Sequence, residues 1–422
     1  MKKRDIGMLA AACAMLYIAG TLRRPLFFAE LSAVQINDFV LAVAGNSVFM
    51  LRMISVVSVL ASAVCISLIC RMAQKKRASL IAPLLFLSNF FIFIKGISGG
   101  SAAVGGFCTV AVITLGFGVL TFAAWWKKIL AAVAGMSLIA LGIHFKFTVS
   151  GGELQWGWLA LLPWGIFLPV LVRNIRDKRH EILQNKLFVF GMYFTVPLVI
   201  TAVAERRPDV LFAAVAVASV LLSQLVELTE KTAFDRGINY LAAAILPIPV
   251  LLFAVQTIGR FTDWIPAKYL PYMRGENYFI PVIALTLLIV WWKMAIKEEN
   301  EQRKFLYVCA GVAFVLLALP NAIPVKYLRR EAVQEFVKTT VKHIAPGKDA
   351  QYFAAGKNMR EAVRWSFEKN TVGEYIPGKL QKGKEALIFT ENKTDVQALP
   401  HPKSYYTNGK FYIIHYSGRR SK

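Results

Sequence analysis

Following a first apolar stretch, the chain reads Leu22-Arg23-Arg24-Pro25-Leu26-Phe27-Phe28-Ala29-Glu30-Leu31-Ser32-Ala33-Val34-Gln35-Ile36-Asn37-Asp38. Two carboxylates, Glu30 and Asp38, stand in one short loop with two guanidinium groups, Arg23 and Arg24. A carboxylate so placed can deprotonate a hydroxyl while neighbouring cations hold a phosphate leaving group. The same residues also suit a plainer role, with the arginines anchoring a span at the head groups and the acids solvating a short amphipathic helix. Other chemistries have less to work with. His144, His180, His343, His401 and His415 are scattered without ligand spacing, so neither a metal site nor a hydrolase triad is expected, and no metal or cofactor is assigned. Gly99-Gly100 and Gly105-Gly106 precede no Lys-Ser/Thr pair and read as close helix packing, not a phosphate loop.

The elements that must position these groups are membrane spans. Of 422 residues 56% are apolar and only 18% charged, with a mean hydropathy of +0.51, which is too apolar for a soluble chain of this length. Eleven apolar stretches are read as spans at about 6–21, 52–70, 79–96, 102–125, 129–145, 157–172, 187–204, 210–228, 239–256, 277–293 and 305–320. The first has basic flanks like a signal peptide but no small-residue cleavage site before Arg23, and is read as a retained span. Twenty Lys and Arg fall in loops on the amino-terminal side of the membrane, against ten in the opposite loops and span edges before the tail. The positive-inside rule therefore places the amino terminus in the cytoplasm and, with an odd number of spans, the carboxy-terminal tail outside. In a bacterium this is a multi-pass inner-membrane protein whose tail is periplasmic or extracellular. The net charge of +24 belongs to these loops and to the tail and suits anionic lipid head groups; with no base-stacking platform of aromatic and basic residues, nucleic acid is not an expected partner. Cys13, Cys65, Cys70, Cys108 and Cys309 all lie in apolar runs and read as small core residues.

The expected division is a transmembrane domain over 1–324 and a soluble α+β domain over 325–422. An apolar stripe through Ala332, Val333, Phe336, Val337, Val341 and Ile344 predicts an amphipathic helix near 330–344. Alternation predicts strands near Gln351–Ala354, Ala386–Phe389 and Phe411–Tyr416, and a second helix is expected around 358–368. Asn408-Gly409, between Tyr405-Tyr406 and the run from Phe411, is a hairpin signal.

Arg24-Pro25-Leu26-Phe27 directly after a first span, with Glu30 and an amphipathic helix following, resembles the first outer loop of GT-C glycosyltransferases, in particular the aminoarabinose transferase and protein O-mannosyltransferase group. Asn46-Ser47-Val48-Phe49-Met50-Leu51-Arg52 and Trp158-Leu159-Ala160-Leu161-Leu162-Pro163-Trp164 are similar to segments of that group, and Glu205-Arg206-Arg207-Pro208-Asp209 resembles its outer turn beside the donor phosphate. The resemblance covers nearly the whole chain. It implies a GT-C-like bundle and transfer of a sugar, with inversion, from a polyprenyl-phosphate donor to a glycan, lipid or protein acceptor at the outer face. It also implies that Glu30 stands at the second position of the family's acidic pair, as the base, and that Arg206 or Arg207 neutralises the lipid phosphate. Three departures stand out: Ala29 replaces the first acid, the first outer loop is short, and Gly96–Ala103 lacks an Asp that relatives place there. Lys95, beside that turn, could supply a replacement cation, although a lysine at a span end usually snorkels to the head groups.

The loop 260–278, with Asp263, Trp264, Lys268, Tyr269, Tyr272, Arg274 and Glu276, could cover an acceptor or merely anchor at the interface. Besides an active transferase, two alternatives remain: a GT-C-like accessory protein of envelope polysaccharide assembly without transferase activity, and a transporter of lipid-linked sugars. The near absence of charge from the middle turns of the spans is unlike a coupled pump.

Overall fold

The computed structural model describes residues 48–97, 101–144, 157–161, 163–167, 184–228, 231–261, 280–299, 303–305, 307–309, 311–312, 333–344, 350–355, 372–376, 385–390, 404–407 and 412–416, with residues 180, 346 and 363. The chain divides into two compact units, the larger built mainly on Leu51–Pro324 and the smaller mainly on Val325–Lys422.

The larger unit is helical. Its helices are α1 (Val48–Met72), α2 (Ala78–Leu87), α3 (Phe90–Ile97), α4 (Ser101–Thr121), α5 (Trp125–His144), α6 (Lys186–Ala204), α7 (Pro208–Leu228), α8 (Lys231–Ile245), α9 (Pro247–Phe261) and α10 (Ile280–Lys297), with 3-10 turns at Gly157–Leu161 and Trp164–Phe167. Three stretches among the described residues are long and apolar enough to cross a membrane: Arg52–Met72, Ala102–Thr121 and Leu187–Ala204. These match the expected spans at 52–70, 102–125 and 187–204, and they make this a membrane protein. The expected spans at 129–145 and 277–293 are helical as α5 and α10. Exposed apolar side chains of α5 (Leu130, Val133, Met136, Ile139) and α6 (Val196, Ile200, Val203) are suited to lipid.

The expected straight span at 79–96 is instead two helices bent by 66°. Pro83 lacks an N–H for the ladder, and Ser88 and Asn89 then offer the backbone side-chain partners. Asn89 Oδ1 accepts from the Phe91 and Ile92 N–H groups at 3.0 and 3.4 Å, so it caps α3. The break's other polar groups are satisfied by the 3-10 segment, with Asn89 Nδ2 donating to the Ala160 carbonyl at 2.8 Å and Trp164 Nε1 to that of Leu85 at 2.9 Å. Such satisfaction is what a broken helix needs away from water. The segment expected as a span at 157–172 thus begins as short 3-10 turns. The span expected at 239–256 is also interrupted, because Pro247 ends α8 and opens α9. Of 305–320 only fragments are described, and the span at 6–21 lies outside the described residues.

Helix α7 is central. It packs on α6, α4 and α2 and touches α3, and Val210 to Val217 are all buried, the sign of a helix surrounded on every side. Gly106 of α4 admits it: a Cβ there would collide with Phe212, whose ring sits edge-on to Phe86 at 5.4 Å. Gly191 of α6 does the same for Leu221. Cys70 and Cys309 are buried, Cys65 and Cys108 half-buried, and all four are free thiols.

The smaller unit holds α11 (Val333–Ile344) and strands β1 (Gln351–Ala354), β2 (Gly373–Glu374), β3 (Ala386–Thr390), β4 (Ser404–Thr407) and β5 (Tyr412–Tyr416), in the sheet order β2-β1-β3-β5-β4. β1 pairs parallel with β2 and β3, while β5 pairs antiparallel with β3 and β4. The expected helix and strands appear within two or three residues of their predicted ends, and Ser404 opposite His415 fixes the hairpin register. Asn408-Gly409 lies outside the described residues, as does the expected helix at 358–368 except for Val363. β3 is buried at every position, as a central strand covered on both faces must be.

Candidate functional site

Of the residues expected to do chemistry, Glu30, Arg23, Arg24 and Asp38 lie outside the described residues, as does most of the loop 260–278. Lys95, Arg206 and Arg207 are described.

Arg206 and Arg207 sit where α6 hands over to α7. The last turn of α6 closes with the Arg207 N–H donating to the Ala202 carbonyl at 2.9 Å and the Arg206 N–H to that of Val203 at 3.4 Å. This is the two-bond helix stop that normally places glycine at its left-handed residue. Here the position is Arg206, at φ 51°. Pro208 then starts α7, where its missing N–H is harmless.

This handover separates the two arginines. The Arg207 guanidinium is clamped between acids, with Nη2 at 2.8 Å and Nε at 3.4 Å from the two carboxylate oxygens of Asp209, and Nη1 at 3.4 Å from Glu205. Asp209 is the buried anchor, its side chain 2% exposed against 21% for Arg207 and 56% for Glu205. It also lies in the first turn of α7, where the helix dipole favours an anion. The hydrogen bond that Arg207 donates to Asp209 raises the Arg207 pKa above its already high ordinary value. Because both folded and unfolded values lie far above neutrality, the group stays cationic and this contribution is lost only in strong base. Arg206 is exposed, and its side chain makes no hydrogen bond or ion pair among the described residues. The expectation that either arginine could take a phosphate therefore resolves into two roles: one guanidinium holding a turn together, and one held out from it by the backbone. An exposed guanidinium on a fixed turn offers a planar pair of donors to an oxyanion.

Lys95 lies half-buried near the end of α3, its Nζ 5.6 Å from the centre of the Phe91 ring one turn earlier. Its helix and the Arg206 turn share a neighbour in α7. Helix polarity fixes which ends lie together. The last turns of α1 and α4 and the first turn of α6 line one cavity, so the start of α1, the start of α4 and the Arg206 turn all lie at the other end. Arg52 stands at that end of α1, only 1% exposed, and was legible in sequence merely as the last residue of a motif. Also missed was Asp235, which holds the buried Lys304 ammonium at 2.5 Å. Nothing local marked it, because Asp235 stands among mixed charges near the start of α8 and its partner is 69 residues away.

No protein-family model and no curated protein sequence matches this chain. Solved structures do. The crystal structure of ArnT from Cupriavidus metallidurans in the apo state superposes with a TM-score of 0.66 at 11% identity over 98% of each chain. ArnT from the same organism bound to undecaprenyl phosphate superposes with a TM-score of 0.62 at 10% identity, over 100% of this chain and 99% of the other. Identity this low identifies an architecture and leaves the site residues to be argued separately. ArnT is an aminoarabinose transferase of the GT-C superfamily, and the chain has an ArnT-like fold.

Proposed function

We propose that this protein is a membrane glycosyltransferase that moves a sugar from a polyprenyl-phosphate donor to a glycan, lipid or protein acceptor at the outer face of a bacterial inner membrane. The observation that carries the reading is the end-to-end overlap with ArnT, one structure of which holds undecaprenyl phosphate. In this reading the amino terminus is cytoplasmic and the domain over 325–422 faces the periplasm or exterior. The donor's tail stays in the outer leaflet while its phosphate and sugar reach the rim of the bundle.

Glu30 takes the proton of the acceptor hydroxyl as that oxygen bonds to the anomeric carbon from the face opposite the phosphate, inverting it. The bond from carbon to phosphate oxygen breaks, and its electron pair leaves on the polyprenyl phosphate. Arg206 meets that charge, and Arg207, held by Asp209 and Glu205, keeps the turn in shape. In this reading Arg23, Arg24 and Asp38 also bind substrate, with Lys95 as a further cation.

The test is turnover of polyprenyl-phosphate sugars by the purified protein in nanodiscs, with the donor chosen as the lipid-linked sugar that accumulates when the protein is deleted from cells. Glu30→Gln should lower turnover by about 10²–10⁴-fold, the range for loss of a general base. Arg206→Ala should lower it by about 10²-fold, as for a lost oxyanion contact, with unfolding unchanged. Equal turnover in wild type and Glu30→Gln would remove Glu30 from the mechanism. Wild type that turns over no donor would favour the accessory reading, to which Ala29 already points.

A further inference from the structure

The end of the bundle away from Arg206 carries an open cavity of about 850 Å3. Along α6, whose 19 residues separate the two, that is a distance of about 28 Å. Three helix ends build it. The stop of α1 contributes Met72, Ala73, Gln74 and Lys75, the last turn of α4 contributes Phe117, Leu120 and Thr121, and the first turn of α6 contributes Gln184, Asn185 and Leu187. The lining is therefore split between apolar and polar groups, at the level where apolar helices end.

Two of the polar groups are already engaged within the fold. Asn185 caps α6 by accepting from the Leu187 N–H at 3.1 Å and donates to Gln224 at 3.0 Å, while the Thr121 hydroxyl donates to the Phe117 carbonyl at 2.8 Å. Gln74, Lys75 and Gln184 remain to face an occupant, and all three are exposed. Lys75 is firmly mounted, its N–H donating to the Cys70 carbonyl and its carbonyl accepting from Ser79. On the apolar side Leu120 is 76% exposed, so the cavity wall runs on to the outer surface of the bundle.

Charge identifies the occupant. Arg71, Lys76 and Arg77 flank Lys75 in sequence and all four are exposed, Lys127 and Lys128 stand in the first turn of α5, and the sequence from 39 to 152 contains no Asp or Glu. Exposed Trp125 and Trp126 mark the level of lipid head groups. A site with a mounted cation, two amides, an apolar wall open to lipid and a volume within the roughly 300–1,000 Å3 of small-molecule sites suits an amphiphile with an anionic head.

We infer that this cavity is a binding site for an anionic phospholipid, with the phosphodiester at Lys75, the polar head against Gln74 and Gln184, and an acyl chain along Phe117 and Leu120. The inference stands independently of glycosyl transfer.

The experiment titrates the full-length protein in detergent with phosphatidylglycerol, phosphatidylcholine or inorganic phosphate, reading bound lipid by native mass spectrometry and the unfolding midpoint. Phosphatidylglycerol should bind saturably and raise the midpoint, and the other two should not. Lys75→Glu should weaken its binding by roughly fivefold or more, the effect of one juxtamembrane charge. Gln184→Trp, which narrows the cavity from a different helix end, should weaken lipid binding, and it decides the matter if Lys75→Glu does not fold. The double variant Lys127→Glu/Lys128→Glu lies off the cavity lining and should lose less than Lys75→Glu. Equal binding of phosphatidylcholine, a saturable response to inorganic phosphate, undiminished lipid on Gln184→Trp, or an equal loss in the double variant would each overturn the inference.

Discussion

Two helix ends, one at each end of the bundle, share a backbone device and differ in what surrounds it. α1 stops with the Gln74 N–H donating to the Arg71 carbonyl and the Lys75 N–H to that of Cys70, and α6 stops with the same pair of bonds at Arg206 and Arg207. In both the left-handed residue is not glycine, with Gln74 at φ 61° and Arg206 at φ 51°. Beyond the backbone they diverge. At α6 the residue after the left-handed one, Arg207, is locked by a buried Asp209. At α1 the equivalent residue, Lys75, is exposed, lines a cavity and has no acid near it in sequence. A helix stop fixes where a cation's backbone stands, and the neighbouring acids decide whether its charge is used inside the protein or offered to something else.

The sharpest way to break this contrast is Asp209→Ala. It leaves the Arg207 guanidinium largely buried beside a single exposed carboxylate. The cost should be about 3 kcal/mol, the low end for a broken buried pair because Arg207 keeps some contact with water. Arg207→Ala should cost a similar amount, and in a double-mutant cycle the two should couple by about 1–3 kcal/mol. Lys75→Ala, at the matching position, should shift the unfolding midpoint hardly at all. Equal losses at the two ends would mean that Asp209 does not distinguish them.

A smaller effect tests whether the α6 end owes its shape to α7 packing as well as to charge. Gly106→Ala places a Cβ against Phe212, one turn into α7, where the neighbour is a buried ring with little room to move. Destabilisation of about 2 kcal/mol is expected, as for overpacking, read from the same unfolding midpoint. Turnover should fall as well if α7 positions the Arg206 turn. A change in stability without a change in turnover would separate the packing from the site.

The contrast was only half visible in the sequence. Apolar length exposed α1, α4 and α6, and alternation exposed β1, β3 and the β4–β5 hairpin, because both signals are local. The 66° break was obscured by the apolar run on either side of it: Pro83, Ser88 and Asn89 were its local marks, but their meaning depends on Ala160 and Trp164, more than seventy residues away. Among the described residues the two-residue β2 pairs with its parallel neighbour alone, and it carries no pattern of its own. At the Arg206 turn the residue types were legible and their division of labour was not. Which arginine an acid captures depends on the left-handed turn that swings Arg206 aside, and arginine at that position contradicts the usual glycine signal.

That exception supports the smallest prediction and the most discriminating one. A non-glycine residue in the left-handed region bears about 1–2 kcal/mol of strain, part of which glycine would return to the unfolded chain as entropy. Gln74→Gly and Arg206→Gly should therefore each stabilise the protein, by about 0.5–1 kcal/mol. The two should differ in function. Gln74→Gly should leave glycosyl transfer unchanged, because it lies at the opposite end of the bundle. Arg206→Gly should lose turnover as Arg206→Ala does while melting at a higher temperature. A strained residue whose relief stabilises the fold and impairs turnover is held there for its side chain. If Arg206→Gly gains stability and keeps full turnover, the guanidinium has no part in holding the donor, and the two helix stops differ only in their acids.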